Sequence, residues 1–155
     1  MSVPIEAILA KVGKWIDYAD KDLALARHAL AMGESCPYHL AAYHAQQCAE
    51  KYLKAYLVLN GIDFPYTHNL LRLMELCPAD SPWLSGIDQA ASLSSYAISA
   101  RYPGDDEPVT ADQAVEAIEI ADRTRLILRK ALITSATAAH VEDTARKIWS
   151  LPDRE

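Results

Sequence analysis

One imidazole, two amides, one carboxylate and two ammonium groups fall within a single short stretch, His44-Ala-Gln-Gln-Cys-Ala-Glu-Lys-Tyr-Leu-Lys54. The stretch has the composition of a helix, and on a helix residues three and four apart share a face. His44, Gln47, Lys51 and Lys54 therefore form one polar row, with Gln46 and Glu50 in a second row beside it. Imidazole, amide and ammonium groups all donate to oxyanions, so the first row suits a phosphate or another anion. The plainer reading makes Glu50 and Lys54 a solvent-side i, i+4 pair worth a few tenths of a kcal/mol.

A second chemical cluster is Ser99-Ala-Arg-Tyr-Pro-Gly-Asp-Asp106. Arg101 stands where a helix should end, and there a cation meets the carbonyl end of the dipole. Alternatively, Arg101 and Tyr102 line a groove with the His44 helix and grip a phosphate or a base. Asp105 and Asp106 are paired carboxylates, but a loop rich in Pro, Gly and Asp reads first as a turn. His68 follows Thr67 in the first turn of a short helix, where it caps, packs or binds a ligand. His28, His39 and His140 have no partner at metal-ligand spacing, and His39 and His44 do not share a face. No metal site, Gly-rich phosphate loop, Ser-His-Asp order or metalloprotease helix is present in the sequence, and no cofactor is called for.

The elements that position these groups all read as helices. Five Gly in 155 residues, with abundant Ala and Leu, favour an all-α chain. A first helix is expected from Pro4 to Met32, with Ile8, Val12, Trp15, Ile16, Ala19, Leu23, Ala26 and Leu30 forming one apolar stripe. Asp17, Asp20 and Asp22 fall toward its other side. A second helix runs from Pro37 to Leu59, with Asn60-Gly61 as a left-handed exit. Thr67 caps a third from His68 to Leu76. A fourth, starting near Ser81 or Pro82, carries Trp83, Leu84, Ile87, Ala91 and Tyr96 up to Arg101-Tyr102-Pro103. Thr110 and Gln113 form a capping box for a fifth, which continues to Ile133. Val141, Ala145, Ile148 and Trp149 add an amphipathic helix in the tail. Long helices with short connections and one apolar stripe each pack as an antiparallel bundle.

The bulk properties narrow the function classes. The length suits one domain that buries roughly two thirds of its unfolded surface. A formal charge of −6 argues against an electrostatic nucleic-acid binder as a whole, while a local basic face can still touch RNA. Cys36, Cys48 and Cys77 lack a C-x-x-C pair, so they indicate neither zinc nor a disulfide framework, and Cys48 reads as a small core residue. No apolar run reaches the ~18 residues that span a bilayer, and no secretory signal pattern is seen. A reduced, cytoplasmic protein is expected.

Taken in order, His44-Ala-Gln-Gln-Cys-Ala-Glu-Lys-Tyr-Leu-Lys54, Asn60-Gly61, Thr67-His68-Asn69-Leu70 and Ser99-Ala-Arg-Tyr-Pro103 followed by Asp105 resemble the HEPN domain family. The helix from Trp15 to Leu30 is similar to that family's first helix. The resemblance implies an up-and-down four-helix bundle; together with the helices read above, this assigns residues 1–135 to the bundle and a short extra helix, and 136–155 to a C-terminal helical tail. It also implies a homodimer, and a nucleotidyltransferase partner in a toxin–antitoxin-like system. Many HEPN proteins are metal-independent ribonucleases that carry an Arg, four to six further residues, then a His. Here the positions after Arg101 where that His would fall hold Asp106, Glu107 and Pro108. The resemblance is therefore to the branch without the catalytic signature, for which nucleotide or partner binding is expected. His44, Gln47, Lys51, Arg101 and Tyr102 are the candidate binding residues. The alternative is a ribonuclease with a rearranged site, in which Arg101 stabilises the phosphorane and His44 or His68 moves the proton.

Overall fold

In the computed structural model the described residues are 2–99, 103–104 and 107–151, and among them every regular element is helical. Helix α1 spans Ile5–Leu30 and buries Leu9, Val12, Ile16, Ala19, Leu23 and Ala26, a stripe at spacings of three and four. It stops short of Met32, and the chain reverses through Gly33, whose φ of +65° places it in the left-handed region. Helix α2, Tyr38–Leu59, leaves through Gly61 at φ +67°. Lys54 beside Trp15 and His44 beside Asp22 show that α1 and α2 run antiparallel. Helix α5, Ala111–Ala138, is antiparallel to α1 as well, with Arg125 on Asp20 and Arg27 on Asp122.

Helix α2 lies between α1 and α5 and is buried nearly all round, not along a single stripe. Ala41, Ala42, Ala45, Cys48, Ala49 and Ala55 are all fully buried, and these small side chains let the neighbouring helices approach closely. Tyr52, Leu53 and Leu57 join Leu70, Leu73, Ile87, Leu93, Leu128 and Leu132 in the core around it.

Three boundaries differ from expectation. Helix α3 is Leu70–Leu76, so His68 precedes it; the cap is Asn69, whose side chain accepts from the Arg72 N–H, while Thr67 Oγ1 accepts from Asn69 N. The fourth rod is a 3-10 segment, Leu84–Ser95, interrupted at Ile87 (φ −117°, ψ 15°) and followed by the short helix α4, Tyr96–Ser99. Runs of 3-10 helix this long are uncommon. Ser92 and Ser95 bond back to Gln89 and Ser92 carbonyls, and the Ser94 hydroxyl is drawn away to accept from Leu70 N. Finally, α5 continues past Ile133 to Ala138.

The capping box at the start of α5 is present in both directions, Thr110 N–H to Gln113 Oε1 at 2.9 Å and Gln113 N–H to Thr110 Oγ1 at 3.1 Å. After α5 the chain forms α6, Glu142–Ile148, which is held by Trp149: its indole N–H donates to the Leu9 carbonyl at 2.9 Å. The three cysteines are free and buried. Burial pushes the Cys77 thiol up to about 11 and raises that of Cys48 as well. No described helix is long and apolar enough to cross a membrane.

Candidate functional site

The polar residues of α2 resolve into two clusters that meet along the helix. In the first, Asp22 of α1 holds two side chains of α2. Its Oδ1 lies 2.8 Å from His44 Nδ1, and its Oδ2 accepts from the Lys51 ammonium. Asp22 was expected on the far side of α1; instead it sits on the flank of the apolar stripe, where a bundle helix meets its neighbour. A carboxylate only accepts, so the His44 proton is on Nδ1 and Nε2 is the ring's remaining polar atom. The His44 and Lys51 side chains stay 26% and 20% exposed, so both border the solvent while anchored from within.

The second cluster overturns the solvent-side reading of Glu50 and Lys54. Glu50 and Lys54 are 3% and 6% exposed and pair at 2.7 Å. Gln46 Nε2 donates to Glu50 Oε2 at 2.8 Å, and Gln47 Nε2 donates to Gln46 Oε1 at 2.6 Å. His68 Nδ1 stands 3.1 Å from both Glu50 oxygens, while its Nε2 is buried with no hydrogen-bond partner among the described residues. Lys54 Nζ lies 5.8 Å from the Trp15 ring centre and 5.7 Å from that of Phe64, within cation–π range. The polar residues of α2 thus enter the interior because they satisfy one another there.

Burial works to raise the Glu50 pKa, but hydrogen bonds from Lys54 and Gln46, the Lys54 charge and the His68 bond together outweigh it. The net result is a carboxyl held below its ordinary value of 4.5. Because the folded pKa is depressed, this group's contribution is complete above the unfolded value and disappears as the pH falls through the folded one. Urea midpoints measured across the acid range should therefore fall less steeply for Glu50→Gln than for the parent. Equal acid limbs would contradict the assignment.

A third interaction fixes the frame. Asp20 Oδ1 accepts from Tyr52 Oη at 2.5 Å and from Arg125 Nε at 2.8 Å, which ties α1, α2 and α5 together. Burial first, and then the Asp20 carboxylate, raise the Tyr52 hydroxyl above its ordinary value, so it remains a donor. Neither Asp20 nor Asp22 carries a local sequence signal for these roles. Their partners lie on other helices, and only an acid on the flank of an apolar stripe could have hinted at them.

Of the candidate residues, His44 and Lys51 come together through Asp22. Gln47 lies one turn away and spends its amide N–H groups on Gln46 and Glu50. His68 reaches Glu50, not His44. Arg101 and Tyr102, like Asp105 and Asp106, lie outside the described residues. Helix α4, which ends at Ser99, packs on α2. No group of three His, Cys, Asp or Glu that could hold a metal occurs among the described residues.

Two solved structures share this arrangement of helices. TT1696 from Thermus thermophilus is 26% identical, with a TM-score of 0.64 over 77% of this chain and 97% of its own. ST0689, described as an archaeal HEPN homologue, is 30% identical, with a TM-score of 0.62 over 78% of this chain and 97% of its own. No curated protein matches the chain. The HEPN domain model matches residues 12–131, a span that runs from the buried Val12 through both polar clusters to Ala131 on α5. By that match, this chain belongs to the HEPN domain family.

Proposed function

We propose that this HEPN domain is a binding module that takes a phosphate-bearing ligand, a nucleotide in the first instance, at the solvent edge of α2. The observation that carries the reading is the Asp22 carboxylate holding His44 and Lys51 side by side. Anchoring two donors in advance removes the entropy that flexible side chains would lose on capturing an anion. His44 presents Nε2 at the solvent edge, and Lys51 beside it keeps two further N–H groups for an anion. By sequence, Arg101 and Tyr102, a cation and an aromatic ring, and Gln47 are further candidate binding residues of the same site. A homodimer and a minimal nucleotidyltransferase partner, in a toxin–antitoxin-like setting, belong to the same proposal through the family. In the partner version, an acidic tail occupies the place of the phosphate.

Calorimetry with a panel of nucleotides tests the module. Saturable heat is expected for at least one nucleotide, with His44→Ala and Lys51→Ala each weakening it about tenfold or more, the worth of a charge-assisted hydrogen bond. Absence of heat across the panel would remove the nucleotide version.

The Asp22–His44 pair also favours a second reading, metal-independent RNA cleavage. A carboxylate on Nδ1 fixes the ring and its tautomer, leaving Nε2 to carry a proton to or from a reacting oxygen. Arg101 would then stabilise the phosphorane. Single-stranded RNA incubated in the presence of a chelator should be cleaved by the parent and spared by His44→Ala and by Arg101→Ala. Cleavage that survives either substitution, or that never occurs, would count against an enzyme.

A further inference from the structure

A recess of about 720 Å³ opens on another flank of α2, between its last turns, residues 78–86 and α5. Tyr56, one of its walls, lies roughly 18 Å further along α2 than His44 and about 120° around it, so the recess is separate from the site proposed above. Its body is apolar: Tyr56, Pro78, Trp83, Ile127 and Ala131 line it. Tyr56 and Trp83 meet edge to face with centroids 4.7 Å apart, a geometry that presents aromatic surface to a third ring. The volume falls in the range of small-molecule sites, which combine apolar walls with a few polar groups.

The charges at its rim select among aromatic ligands. Lys130 is exposed and forms no ion pair among the described residues. It also borders an adjoining recess of about 570 Å³ lined by Leu126, Arg129, Ile133 and Arg146, among others, with no carboxylate in its lining. Arg146 is already committed to Glu142, whereas Arg129 forms no ion pair among the described residues. In a chain of net charge −6, this is a local concentration of positive charge. Asp80 is the one acid in the wall of the larger recess, and it too forms no ion pair among the described residues. Lys130 therefore supplies the attraction for a negatively charged ligand, and Asp80 in the same wall works against accumulating more than one such charge.

We propose that this recess binds a small planar aromatic acid, its ring against Tyr56 and Trp83 and its carboxylate at Lys130. The three tryptophans report on the site independently. Trp15 lies beneath Lys54, and Trp149 is bonded to Leu9, so only Trp83 borders the recess. The test is a titration of the folded protein with 2-naphthoate, and separately with the uncharged 2-naphthamide, followed by the indole N–H cross-peaks in a proton–nitrogen spectrum. Trp83→Phe assigns the reporting peak.

With naphthoate the Trp83 peak should move in a saturable way while the other two stay in place. Lys130→Met should weaken naphthoate about three- to fivefold and leave naphthamide unchanged, the range of a solvent-exposed charge pair. Asp80→Asn should tighten naphthoate, which provides an opposite-sign check should Lys130→Met fold poorly. The proposal is overturned if the Trp83 peak does not respond up to the solubility limit, if Trp15 or Trp149 responds in its place, or if naphthamide binds as tightly as naphthoate.

Discussion

Glu50→Ala is expected to destabilise the protein by about 3–5 kcal/mol, a large share of the roughly 5–15 kcal/mol that holds a domain of this kind together. The reason is Lys54. With the carboxylate gone, an ammonium that is 6% exposed loses its ion-pair partner at 2.7 Å and, among the described residues, retains only the rings of Trp15 and Phe64. His68 Nδ1 loses its carboxylate in the same step, which leaves the bond from Gln46 Nε2 to the His68 carbonyl to tie the connection to α2. Lys54→Ala should cost less, because Glu50 still accepts from Gln46, Gln47 and His68 and can take up a proton. Removing both charges with Glu50→Leu and Lys54→Met should recover much of the loss, since apolar groups of similar volume replace a desolvated pair. Urea unfolding of the three variants decides the matter. If the double variant is as unstable as the sum of the single ones, the two residues do not act as a pair.

That buried pair also marks where sequence reasoning succeeds and where it stops. Signals that lie within a few residues of each other were legible. Thr110 and Gln113 close their box across three positions, and Asn60-Gly61 ends α2 at a positive φ, because both depend only on local backbone geometry. The family, too, was legible from the order of short polar motifs. Burial of α2 was not. A helix carrying Gln46, Gln47, Glu50, Lys51 and Lys54 reads as half solvated unless one knows that Asp22 and His68, 29 positions from Lys51 and 18 from Glu50, come to meet it. The Asn69 cap is local, its Oδ1 accepting from Arg72 N three positions on, and is missed because Thr67 two residues earlier is also a good cap. The 3-10 segment fails for the long-range reason. The Ser94 hydroxyl is claimed by Leu70 N across 24 positions, and no local propensity contains that bond.

Trp149→Ala is the second large effect, expected at about 3–5 kcal/mol, because it removes a large ring that is 5% exposed. The ring lies over α1 at Gly13. A Cβ built there would approach Trp149 Cδ1 to 3.3 Å, closer than most such contacts. Glycine inside a helix costs about 1 kcal/mol relative to alanine, so Gly13 weakens α1 locally while leaving room for the indole. The two positions should therefore be coupled. Gly13→Ala should stabilise the Trp149→Ala protein by about 1 kcal/mol and do little in the parent, where the gain in helix propensity is spent on displacing the ring. Trp149→Phe separates packing from hydrogen bonding. It keeps most of the ring but loses the N–H to the Leu9 carbonyl, and should cost on the order of 1 kcal/mol beyond the lost volume. Thermal or urea unfolding of the full cycle measures the coupling, and a Gly13→Ala gain of equal size in both backgrounds would mean that the tryptophan does not press on α1. A measured coupling would make the C-terminal turn a structural part of the bundle, with the Trp149 indole and Ile148 seated against α1 at Gly13.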